Sequence, residues 1–339
     1  MQVLPAQGSP KRVNLTLQGG GVLGIAEVGA VCALRDAGYT FASVTGTSVG
    51  AIVAAFVASG VDNGTLKELV STLPYPKVMD PNSWLARIPI AGRVVSWFWY
   101  GGSYKGDFLE NWVEQKLQEH AGVRTFGDLA AKIQKGEASP LAMVTFDADR
   151  QLETVLPRDY SQFHRDPSQE TIASAVRAST SILTFFQPAV ITDPVSGEHS
   201  ACYDGGLVNN YPWDIAKRSD PTARTIGVRL ESPSRFVPLE LKGFAAGVKQ
   251  LLAVMTGIGK ARENRLMEDP EVVANTISPP TFGISEQDFK ITPAQCEKLY
   301  AEGYQTAKEW IARDLASQQR GQRTAGEQLP DLPKAAGLE

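Results

Sequence analysis

Val13-Asn14-Leu15-Thr16-Leu17-Gln18 runs into Gly19-Gly20-Gly21-Val22-Leu23-Gly24, and a second glycine-framed turn follows at Gly46-Thr47-Ser48-Val49-Gly50. Val13, Leu15 and Leu17 alternate with Asn14 and Thr16, which predicts a strand. Helical composition over 22–37, with apolar or small residues at Val22, Ile25, Val28, Gly29, Cys32 and Ala33, predicts a helix directly after the glycines. Three glycines between strand and helix leave backbone N–H groups unobstructed, a nest for an anion. The second turn reads Gly-x-Ser-x-Gly. Residues 41–45 before it are aromatic, β-branched or small, and 49–59 after it are rich in Ala, Val and Ile up to Gly60. Strand, sharp turn and helix fall where a nucleophile elbow requires them. Ser48 then stands at a helix N-terminus, which favours developing negative charge.

The first turn also matches Gly-x-Gly-x-x-Gly. A dinucleotide site wants an acid about 20 residues on, at the end of the next strand. Here that strand ends in Thr45-Gly46-Thr47-Ser48, and Asp36 belongs to the preceding helix. The elbow occupies the ribose-binding position.

A serine nucleophile needs a base. The chain has three histidines, His120, His164 and His199, none in a recognisable motif. Asp204, in Cys202-Tyr203-Asp204-Gly205-Gly206-Leu207, is the better candidate. Asp-Gly-Gly alone is a turn signal. Together, the nest, the elbow and this acid resemble the patatin-like phospholipases, which use a Ser-Asp dyad without histidine. The resemblance extends to Ala175-Val176-Arg177-Ala178-Ser179-Thr180-Ser181 with Phe185-Phe186-Gln187-Pro188, and to Asn209-Asn210-Tyr211-Pro212. Order and spacing agree over about residues 12–217, and more loosely to about 315.

Carried over by position, the resemblance makes Ser48 the nucleophile and Asp204 the general base. Gly19, Gly20 and Gly21 would line the oxyanion hole, with the Val49 N–H from the elbow. Gly24, Gly46, Gly50, Gly205 and Gly206 are the remaining motif glycines. A buried carboxylate in an apolar site has its pKa raised, which suits it to accept the serine proton. Many family members carry Arg or Lys two residues after the glycine triplet. Leu23 stands there in this chain, which weakens any preference for anionic head groups. The implied fold is α/β in three layers, a central, mostly parallel sheet with helices on both faces. The implied function is hydrolysis of fatty acyl esters of the phospholipase A or lysophospholipase type, through an acyl-serine. Phospholipid is the expected substrate, and no metal or organic cofactor is called for. The rival reading is a non-catalytic lipid-binding or regulatory protein on the same fold.

With 339 residues, 33 basic against 37 acidic, the chain carries a formal net charge of −4 and has no basic block to recommend nucleic acid. The expected organisation is a flexible 1–11, one catalytic domain over 12–316, and a disordered tail over 317–339 rich in Gln, Gly, Arg and Pro. Cys32, Cys202 and Cys296 are widely spaced and odd in number, which reads as neither a disulfide framework nor a zinc site. Cys32 and Cys202 read as buried fillers in a reducing compartment. The N-terminus lacks the apolar stretch of a secretory signal, so a cytoplasmic location is expected, with signal-free export as the alternative.

Two regions have the composition to handle lipid. Residues 88–104 hold Ile88, Ile90, Trp97, Phe98, Trp99, Tyr100 and Tyr104, suited to a membrane interface, an acyl pocket or a core patch. Residues 236–267 form an apolar stretch broken by Gly243, Gly247, Gly257 and Gly259, which reads as a lid or as a closely packed helix. Asp147 and Asp149 at a strand end read as a turn rather than a metal site.

Overall fold

The computed structural model of the chain describes residues 11–79, 102–231 and 244–327. In chain order its strands are β1 (Lys11–Leu17), β2 (Tyr39–Thr47), β3 (Gly102–Tyr104), β4 (Leu141–Asp147), β5 (Leu152–Leu156), β6 (Thr184–Phe186), β7 (Ala189–Thr192), β8 (His199–Asp204), β9 (Arg224–Val228) and β10 (Thr276–Ile277). The main sheet has the order β10-β9-β1-β2-β4-β8-β7, with β5 also on β4. β10, β9, β1, β2 and β4 run parallel, while β5, β8 and β7 pair antiparallel. β3 and β6 form a separate two-stranded sheet.

Both faces of β1 are buried, including Asn14 and Thr16, as expected of a central strand covered by helices on both sides. The polar Asn14 is satisfied there: it accepts from Ser43 Oγ at 2.7 Å and donates to the Asp220 carbonyl at 2.8 Å. Five helices matter for the site: α1 (Gly24–Asp36), α2 (Val49–Ala58), α3 (Ile172–Ser179), α4 (Phe244–Leu266) and α5 (Pro293–Glu327). All ten residues of α2 are buried, so it is a core helix with no polar face to expose. α1 and α5 cross closely, because Gly29 lies against the Tyr300 carbonyl and Gly303 against the Ala26 carbonyl.

From β1 the chain steps to β2 and β4 on one side, then returns to β9 and β10 on the other. This reversal is a topological switch point, where the carboxyl ends of neighbouring strands open a crevice. Leu17 of β1 pairs opposite Gly46 of β2, so the glycine nest and the elbow leave the sheet side by side, at the switch.

α5 continues to Glu327, past residue 317 where the tail was expected to begin. Ala, Gln, Arg and Glu there are good helix formers that propagate a helix already anchored on α1. Of the region 88–104, only Gly102–Tyr104 is described, as β3; residues 88–101 lie outside. Residues 236–243 also lie outside, and Phe244–Leu266 forms α4. Asp147 Oδ1 accepts from the N–H groups of Asp149 at 3.1 Å and Arg150 at 3.0 Å, the geometry of a turn. The three cysteines are free and buried. No helix of the described residues is long and apolar enough to cross a membrane.

Candidate active site

Ser48 sits between β2 and α2 at φ 55°, ψ −126°, a backbone state that a non-glycine residue adopts only under local strain. The turn is tight because its glycines let backbones touch. A Cβ on Gly50 would strike the carbonyls of Leu17 and Gln18, and one on Gly46 would strike the Gly50 carbonyl. Gly24 packs on the Val49 side chain, and Gly205 lies against the Val144 carbonyl. Gly21 combines φ +55° with the Glu286 carbonyl where a side chain would begin.

Three distant segments hold these turns. The Ser48 N–H donates to Ser179 Oγ at 3.1 Å, and that hydroxyl donates to the Val144 carbonyl at 2.6 Å. The Asp204 N–H donates to the Ser181 carbonyl at 2.9 Å. The end of α3 and the residues after it therefore position both the serine and the acid. Thr47 Oγ1 donates to the Asn209 carbonyl at 2.9 Å, and Asn210 Nδ2 to the Gly19 carbonyl at 3.1 Å. This loop ties the elbow to the nest.

A cleft of about 330 Å³ is lined by Gly19, Gly20, Gly21, Ser48, Asp204 and Gly206, among others. Ser48 and Asp204, 156 positions apart in sequence, are both about 7 % exposed within it. Asp204 Oδ1 accepts from the Gly206 N–H at 2.7 Å. Oδ2 is buried without a well-formed hydrogen bond. Burial pushes the Asp204 carboxyl up to about 6, against the opposing effects of the Ser48 hydroxyl and the Gly206 N–H. The Ser48–Asp204 contact is thus close but looser than a formed bond, as is common before a substrate arrives.

Gly19 lines the cleft, yet its N–H is already donated to the Asn210 carbonyl at 3.0 Å. Gly19 can therefore line an oxyanion site without donating to it. Among the described residues, the N–H groups of Gly20, Gly21 and Val49 have no backbone acceptor and remain open to an incoming oxygen. No histidine lines the cleft. His164 pairs with Asp193 at 2.8 Å, His199 with Thr192 at 2.9 Å, and His120 lies beside Glu119. The described residues hold no group of three or more metal-ligating side chains.

A small apolar pocket opens from the same serine, with Gly21 and Val49 at its mouth and Ile52, Leu73, Val78, Leu109, Phe186 and Phe289 along its walls. Phe289 stacks near Phe185 and Tyr75, with ring centroids 5.1 and 5.8 Å away. The sequence reading had not singled out Phe289, Glu286, Lys260 or Leu230. They come from chain segments without a motif, and only their meeting at the cleft and the apolar pocket beside it marks them.

The patatin-like phospholipase family matches residues 15–217, which include every motif described above. The protein YqhO of Bacillus subtilis (strain 168) is 36% identical over 231 residues, covering 67% of this chain and 74% of YqhO. VipD of Legionella pneumophila superposes with a TM-score of 0.56 at 18% identity, over 90% of this chain and 67% of VipD. ExoU in its complex with SpcU, from the type III secretion system of Pseudomonas aeruginosa, gives 0.51 at 17% identity, over 90% of this chain and 52% of that one. At such identities the two structures show a shared fold. Family and fold agree with the glycine nest, the strained serine and the buried acid that meet at the switch point: this chain belongs to the patatin-like phospholipase family.

Proposed function

We propose that the chain hydrolyses fatty acyl esters of the phospholipase A or lysophospholipase type, through an acyl-serine intermediate on a Ser48–Asp204 dyad. The reading rests on one observation above all. A strained elbow serine and a buried carboxyl raised to about 6 share a cleft that no histidine lines. Lipid hydrolysis in general follows from the family; the dyad and the ester class are the finer reading.

In this mechanism the Ser48 hydroxyl attacks the acyl carbonyl while its proton passes to Asp204. The carbonyl oxygen becomes an oxyanion against the N–H groups of Gly20, Gly21 and Val49. The tetrahedral adduct collapses, the ester C–O bond breaks, and Asp204 returns the proton to the leaving alcohol. Water then attacks the acyl-serine, Asp204 takes its proton, and collapse frees the fatty acid and restores Ser48. The apolar pocket beside Ser48 suits an acyl chain, and the wider cleft suits the leaving group.

The test is labelling by a fluorophosphonate probe together with turnover of a soluble short-chain ester in EDTA. Labelling and turnover, both lost in Ser48→Ala, support the reading. A folded protein that neither labels nor turns over is instead the lipid-binding rival. Turnover that chelation abolishes and calcium restores would overturn the metal-free mechanism.

A further inference from the structure

One stretch of the cleft is charged, and the dyad mechanism makes no use of it. Lys260, Glu263 and Glu286 line it. Glu263 is committed to Arg229, at 2.7 Å, and is 2 % exposed. That leaves one cation and one acid facing the space where a leaving group would sit. Lys260 is exposed and makes no ion pair among the described residues.

Lys260 is held in place from both sides. Gly259, just before it, packs against the Gly206 carbonyl, so α4 rests directly on the Asp204 turn. Just after it, Arg262 ties α4 to Asp214 at 3.0 Å and to Glu153 at 2.5 Å. Glu286 is fixed through its backbone, whose carbonyl accepts the Val22 N–H at 3.0 Å. The residue is exposed, but its carboxyl is partly desolvated at the cleft mouth, which raises its pKa, and the nearby Lys260 ammonium opposes that rise. Leu23 is fully buried, so that position offers the cleft no side chain at all. A cation for the substrate has to come from elsewhere, and among the described residues Lys260 is the one cation lining the cleft.

We propose that Lys260 and Glu286 form a head-group subsite for a zwitterionic phospholipid or lysophospholipid, with the phosphate on Lys260 and the ammonium on Glu286. A phosphate gains a charge-assisted bond from the lysine. An ammonium on the same head group meets the neighbouring carboxylate. A purely anionic head group places its charge near Glu286 and Asp204 with no cation of its own to offset them. This inference rests on the acyl-hydrolase reading above.

The experiment compares kcat and KM on three soluble substrates with one acyl chain: a lysophosphatidylcholine, a lysophosphatidylglycerol and a monoacylglycerol. Wild type is expected to favour the choline substrate. Lys260→Ala is expected to raise KM for both phosphate-bearing substrates roughly 10-fold more than for the monoacylglycerol, and Lys260→Glu more again. Glu286→Gln is expected to raise KM for the choline substrate alone. Equal effects on all three substrates, or none, overturn the subsite while leaving hydrolysis standing. If wild type hydrolyses none of the three and takes no fluorophosphonate, both readings fall together.

Discussion

The two walls of the cleft are built in opposite ways. The nest, the elbow and the Asp204 turn are made of backbone. Their glycines allow contacts with carbonyls that any side chain would block, and in the proposed mechanism their N–H groups are the working atoms. Packed against these turns, Lys260, Glu286 and Phe289 present side chains carried by α4 and by the segment before α5. The first wall tolerates almost no substitution. The second can change its residues and keep its shape, so it is where substrate choice can vary on a constant catalytic frame.

The largest expected effect separates catalysis from stability on the backbone wall. Asp204→Asn keeps an oxygen for the Gly206 N–H but cannot take the serine proton, so kcat on a soluble ester should fall about 10⁴-fold. Stability should move the other way. The folded state raises the Asp204 carboxyl from 3.8 to about 6, so it holds that proton more tightly than the unfolded chain does. The associated stability is present below about pH 4 and is lost as pH rises through about 6. Asparagine escapes that loss, by at most about 3 kcal/mol at pH 8. Melting curves of the two proteins should differ at pH 8 and converge below pH 4. A variant that keeps most of its turnover would remove Asp204 from the mechanism.

Next in size are the nest glycines, which should not be equivalent. A methyl group on Gly20 meets the Leu230 side chain, which can move. On Gly21 it meets the Glu286 carbonyl and must also hold φ +55°. Gly21→Ala should therefore cost about 10²–10³ in kcat, the range for a lost oxyanion donor, and Gly20→Ala less. KM should change little in either, because the oxyanion exists only along the reaction path. The reverse order would mean that the Gly20 side of the nest holds the essential donor.

The backbone wall was legible in the sequence because its chemistry needs glycine, serine and aspartate at fixed short spacings. Strand, nest, elbow and Asp-Gly-Gly all fall where those residues predict them. The second wall was not legible, because a lysine or phenylalanine on a helix or loop carries no local constraint. Even Gly259, noted as a sign of close packing, could not say what it packs against; its partner is Gly206, more than fifty residues away. Gly19 is a related case. Its motif position puts it at the cleft, but the tertiary contact that takes its N–H, the Asn210 carbonyl, is set by the fold and not by the motif.

Ser179 tests whether the backbone wall depends on support behind it. Its hydroxyl is buried between the Ser48 N–H and the Val144 carbonyl. Ser179→Ala leaves both without that partner, at a cost of about 1–3 kcal/mol in stability. Turnover should fall about 10-fold as the elbow loosens, with KM nearly constant. Ser179→Thr, which keeps the hydroxyl, should recover part of the loss if the added methyl group is accommodated. An Ala variant that is less stable but fully active would make Ser179 purely structural.

The smallest effect joins the two walls. If Asp204 must be ionised to act as base, kcat/KM on a neutral soluble ester should fall as pH drops through about 6. Glu286 faces that carboxyl, and its charge contributes to the upward shift, though less than burial does. Glu286→Gln removes a negative charge near Asp204, so the anionic form of Asp204 becomes easier to reach. The acidic limb should move to lower pH, with the plateau rate little changed on a substrate that has no head group. A limb that ignores Glu286→Gln would mean that the charged wall touches only the substrate and leaves the catalytic acid alone.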